Sequence, residues 1–106
     1  MASIKVETAN GLYTVKIPGG AVGATHFAIT AKHAASMQHV EGEPMSPAMV
    51  ERQFEVLIPW SGSVLKHIVL DGPNKYDDIP GEDQYAIFLA VSDAMKVSGD
   101  VFRIVE

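Results

Sequence analysis

The chain has 106 residues, 47% of them hydrophobic and 20% charged, and its eight Lys and Arg against thirteen Asp and Glu give a net charge of -5. That length allows one domain, residues 1–106, with a core of its own, and the composition is that of a folding chain with apolar surface to spare. The acidic balance without any basic cluster excludes nucleic acid from the expected partners, and the lack of cysteine excludes disulfides, thiolate catalysis, Zn–Cys sites and iron–sulfur clusters.

The N-terminal stretch "MASIKVETANG" lacks the apolar core of a signal peptide, and the longest apolar run, "YAIFLAV", is too short to span a membrane. The expectation is a soluble protein made in the cytoplasm, with no membrane partner. "SIKVETANGLYTVKIP" alternates Ile4, Val6 and Thr8, then Tyr13, Val15 and Ile17, about Asn10-Gly11, a dipeptide suited to a type I′ turn. This predicts an N-terminal hairpin. "HFAITAK" alternates Phe27, Ile29 and Ala31 and predicts a third strand, with a short helix over 26–37 as the competing reading because of its alanines.

Residues 38–48, "QHVEGEPMSPA", have the Gly, Pro, Glu and Ser of a loop, in which Ser46-Pro47 can open one brief helical turn. "RQFEVLIPW" then places Phe54, Val56, Ile58 and Trp60 on one strand face; "SGS" reverses the chain and "VLKHIVL" returns, predicting a second hairpin. After the acidic stretch 71–83, Pro80, Glu82, Asp83, Lys96 and Gly99 bracket "QYAIFLAVSDAMK" as a helix over about 82–96. "DVFRIV" predicts a last strand. The fold expected is therefore α+β and β-dominated, a small antiparallel sandwich or barrel with one helix in its C-terminal half. Its core is expected to hold Val6, Val15, Ile17, Phe54, Val56, Ile58, Ile68, Leu70, Phe88, Leu89 and Phe102.

No arrangement carries a catalytic signature. In "DGPNKYDDIPGED" the acids fall at 71, 77, 78, 82 and 83, which misses the calcium-loop spacing and reads as a solvated connection ending in a helix start. Asp77 and Asp78, adjacent in an extended segment, point apart and do not share a bond. His26 and His33 lack the spacing of a helical metal pair, and His67 reads as a surface or hydrogen-bonded histidine. "GGAVGAT" resembles a phosphate loop but lacks its Lys, and no Ser lies in a nucleophile-elbow context.

Two classes of function remain. The first is a non-enzymatic structural or assembly protein, a β-rich subunit forming a homo-oligomer or packing into a larger protein assembly; His39, Val40, Met45 and Met49 would make the contact, because methionines in a Gly/Pro-rich loop suit an interface. By analogy of size and composition, compact cysteine-free chains of this kind serve as bacteriophage virion components, among them cement, decoration and tail proteins. The alternative is a small-molecule- or metal-binding module, an enzyme included, using His33, His39 or His67 with carboxylates of the acidic loop. No cofactor is expected.

Overall fold

The structure is a computed structural model that describes residues 3–36 and 46–98. Strands β1 (Ser3–Thr8) and β2 (Gly11–Lys16) form the expected hairpin, followed by helix α1 (Gly20–Ser36). Helix α2 (Pro47–Glu55), the short α3 (Leu57–Trp60), a π turn over Ser61–Leu65 and α4 (Lys66–Ile68) then run almost without interruption into β3 (Val69–Asp71). A 3-10 turn at Tyr76–Asp78 leads to the last described helix, α5 (Gly81–Ser98).

Helix dominates, which overturns the expected β-rich sandwich or barrel. Among the described residues the sheet has three antiparallel strands in the order β1-β2-β3. Pairs Ile4↔Val15 and Val6↔Tyr13 set its inner face. The turn is one step earlier than expected: Thr8 pairs with Gly11, leaving Ala9 and Asn10 as the loop, and Gly11 is the residue at positive φ, 139°. Moving the turn shifts the pairing by two residues, so Val6, Tyr13 and Val15 keep the face that their alternation assigned.

Two predicted strand regions are helical. In α1 the alanine-rich composition outweighs the short alternation around Phe27 and Ile29, so the competing helix reading holds and extends back to Gly20. The predicted second hairpin, 53–60 with 64–70, is replaced by α2 to α4, of which only 69–71 is strand. Its sequence carries two periods at once. Phe54, Val56, Ile58 and Trp60 recur every second residue, while Leu57, Trp60, Val64, Leu65 and Ile68 recur with helical spacing. The helical set is the buried one.

Core assignments change accordingly. Val6, Val15, Ile68 and Phe88 are buried, and Ile17 and Val56 pack partly buried against the core. Phe54, Ile58, Leu70 and Leu89 are exposed, Ile58 at 78%; Phe54 and Ile58 lie in helix, where every-second-residue spacing does not define one face, and Leu70 lies on the outer side of a three-residue edge strand. Phe102 and the predicted strand at "DVFRIV" lie outside the described residues.

Ser46 caps α2, its Oγ accepting from the Met49 amide at 3.2 Å, with Pro47 opening the helix. The Ser-Pro signal thus starts a nine-residue helix rather than one turn. Pro59 has no amide hydrogen for the carbonyl one turn back, and it sits between the break at Val56 and the wider turn at Ser61. Trp60 is placed by this irregular stretch at the centre of the core, fully buried against Phe88 with ring centroids 5.3 Å apart and planes at 85°.

Candidate functional site

Among the described residues, three polar clusters account for most of the chemistry-bearing side chains that the fold gathers. The first lies at the start of α5, where the acidic stretch ends. Asp71, Asp77, Asp78 and Glu82 are exposed, as a solvated connection requires, but Asp83 is 1% exposed. Its Oδ2 accepts the Tyr13 hydroxyl at 2.8 Å, and Asn10 Nδ2 lies 3.1 Å from both carboxylate oxygens. Asn74 Nδ2 donates in turn to the Tyr13 oxygen at 3.0 Å. Burial raises the Tyr13 pKa; the Asn74 bond opposes that shift and Asp83 adds to it. The chemistry here is a brace of neutral donors on a carboxylate that joins hairpin, loop and helix.

The second cluster runs from α3 through α1 to α5. Trp60 Nε1 donates to His26 Nδ1 at 2.9 Å. Since an indole N–H only donates, Nδ1 is the acceptor and the neutral ring carries its hydrogen on Nε2. Nε2 donates to Ser92 Oγ at 3.1 Å, and Ser92 gives its own hydrogen to the Phe88 carbonyl at 2.8 Å. His26 is 1% exposed, and desolvation lowers its pKa to about 4. It is a neutral structural histidine whose ring also meets Phe88 at 5.6 Å.

The third is a cleft of about 360 Å³ between α1 and α2–α3, lined by Ile29, Lys32, His33, Arg52, Glu55 and Pro59 among others. Its His33 Nε2 is 3.1 Å from the Tyr85 hydroxyl, and burial lowers the His33 pKa. Burial raises that of Tyr85, with a Gln53 hydrogen bond acting against it. On another flank of the same segment Val50, Phe54 and Ile58 are all exposed, spaced one helical turn apart along α2–α3. Phe54 packs on Tyr85 with ring centroids 5.5 Å apart, which fixes the row against α5.

The residues singled out in the sequence are dispersed. His33 lines the α1–α2 cleft, whereas His67 is exposed on α4 and lines a separate cavity of about 230 Å³ with Lys16, Ile17 and Pro18. Among the described residues no three His, Asp or Glu side chains gather as a metal site. His39, Val40 and Met45 lie outside the described residues. Met49, expected on a loop, is on the inner face of α2 and 8% exposed. "GGAVGAT" opens a helix, its second glycine being the first residue of α1, but it lacks the Lys of a phosphate loop. Residues that the sequence reading missed are Asp83 as a buried brace, the His26–Trp60 pair and the Val50–Phe54–Ile58 row. Only the row had a legible signal, its one-turn spacing.

Among the described residues no helix is long and apolar enough to cross a membrane. No protein-family model matches the chain, and neither a characterised protein nor a solved structure matches it.

Proposed function

We propose that the chain is a non-catalytic subunit of a protein assembly and that α2–α3 is its contact face, seated on a second copy of itself. The observation that carries this reading is the row Val50, Phe54 and Ile58, three large apolar side chains exposed at successive turns. Single exposed apolar residues are ordinary, whereas a contiguous row with an aromatic at its centre is what interface cores are made of.

Charge supports a second copy as the partner. Glu51 and Glu55 each follow a member of the row by one position, about a quarter-turn round the helix, and Glu55 also lines the cleft with Arg52 and Lys32, so that acids lie between the row and these bases. A face bearing both signs is complementary to itself when related by a twofold axis, because acids of one copy meet bases of the other. The clusters around Asp83 and His26 serve the packing of the chain, and their polar hydrogens are committed to internal partners.

Size-exclusion chromatography with light scattering on Ile58→Asp and on Leu12→Asp tests the assignment. Leu12 is an exposed apolar residue of the sheet, away from the row, and serves as control. Loss of a central apolar contact of about 2 kcal/mol weakens association about 30-fold. Ile58→Asp is expected to dissociate while Leu12→Asp stays associated. Retained association in Ile58→Asp, or an equal loss in both, overturns the reading.

A further inference from the structure

A groove of about 370 Å³ lies between α1 and α5 and has no part in the contact face just described. It is lined by the small residues Thr30, Ala31 and Ala34 of α1, which leave room between the two helices, and by Phe27 and Leu89. Its volume falls within the range of sites for small organic molecules. Its walls are mostly apolar. The groups that break this character are Thr30, Ser92, the edge of His26 and the Asp93 carboxylate.

What those groups can offer a ligand follows from where their hydrogens go. Thr30 gives its hydroxyl hydrogen to the His26 carbonyl at 2.8 Å. Ser92 gives its own to the Phe88 carbonyl at 2.8 Å and already receives one from His26 Nε2. His26 has no choice in this, because Trp60 holds Nδ1 from the other side and leaves the ring's only hydrogen on Nε2, aimed at Ser92. Trp60 thereby sets the polarity of the whole chain of bonds. The polar side chains of the groove have spent their donors on internal partners, and the one charged side chain among its described lining residues is an anion, Asp93.

The geometry points to a binding site for a small amphipathic amine, a protonated ammonium group meeting Asp93 and the Ser92 and Thr30 oxygens while a compact apolar body lies against Phe27, Ala31 and Leu89. Among the described lining residues an anion finds no uncommitted donor and meets a carboxylate. A neutral alcohol of the same shape keeps the apolar contact and one hydrogen bond but loses the ion pair. The net charge of -5 favours approach of a cation in the same sense.

The test is an NMR titration of the full chain with three probes that share one body: 2-phenylethylammonium, 2-phenylethanol and 3-phenylpropionate. Saturable amide shifts at Thr30, Ala31, Ser92 and Asp93 are expected with the amine, with affinity at least about tenfold above that for the alcohol, and none with the carboxylate, since a charge-assisted bond contributes more than a neutral one. Asp93→Asn, isosteric and at an exposed position, is expected to bring the amine down to the alcohol's level. Ala31→Leu fills the groove and should abolish binding of both; should that variant fail to fold, Asp93→Asn decides alone. Amine binding that survives Asp93→Asn unchanged, carboxylate binding as tight as amine binding, or no saturable shift at these residues with the amine overturns the proposal.

Discussion

Tyr13 donates its hydroxyl hydrogen to Asp83 Oδ2 over 2.8 Å, a bond that ties the middle strand to the first turn of α5 across 70 positions of chain. With Asn10 on both carboxylate oxygens and Asn74 on the tyrosine oxygen, it makes the end of the acidic stretch a structural brace. Removing one member leaves buried polar groups without a partner, which costs more than the bond itself contributes. Asp83→Ala is expected to lower stability by about 2–4 kcal/mol and Tyr13→Phe by about 1–2 kcal/mol in urea denaturation. Because the two residues share one bond, the double variant should fall short of the sum. Additive losses would show that the bond does not form.

His26 gives the fold a pH dependence whose sign is fixed. Its folded pKa is lowered to about 4 from 6.5 by burial, so between those values the unfolded chain binds more protons than the folded one. Stability is fully present above pH 6.5 and is lost as pH falls toward 4, by about 3 kcal/mol in all. A denaturation series across that window is expected to show the loss, and His26→Gln to remove the larger part of it, His33 contributing in the same sense. Titration of the His26 imidazole itself near 6.5 in the folded chain would contradict the buried pair with Trp60.

The two phases of segment 53–68 make opposite claims about which side chains matter. Trp60→Ala is expected to cost about 3–5 kcal/mol and Leu57→Ala about 2–5 kcal/mol, while Ile58→Ala in the monomer changes stability by less than about 0.5 kcal/mol. Thermal melts of the three variants decide it. A large loss at Ile58 with little at Leu57 would restore the strand.

That segment also shows why part of the fold was legible and part was not. The hairpin was readable because Val6, Tyr13 and Val15 alternate unambiguously, and α5 because Glu82 and Asp83 mark its start. Residues 53–60 satisfy both periods, with Trp60 belonging to each, so local pattern alone could not choose; continuation of the helical set through Val64, Leu65 and Ile68 is what separates them. The brace could not be read at all. Nothing local distinguishes Asp83 from Glu82, its exposed neighbour, and only the arrival of Tyr13 and Asn10 from the hairpin makes it buried. The Val50–Phe54–Ile58 row is visible as a surface only once Phe54 and Ile58 are outside the core in which their every-second-residue spacing placed them.

Two glycines should respond oppositely to alanine. A Cβ at Gly72 strikes the ring of Tyr13, which is itself held by Asp83 and Asn74, so Gly72→Ala is expected to destabilise by about 1–3 kcal/mol. Gly62, in the helical stretch after Trp60, has nothing within 4 Å of such a Cβ, and Gly62→Ala should stabilise by up to about 1 kcal/mol. Calorimetric melting temperatures check both. A neutral Gly72→Ala would mean that the loop does not lie on Tyr13.

The self-contact through α2–α3 is tested most directly by the mass of the unmodified chain at sedimentation equilibrium, followed from micromolar toward millimolar concentration. A concentration-dependent rise to twice the 11.4 kDa of one chain, reversible on dilution, is expected. A mass that stays at 11.4 kDa over the whole range would contradict it.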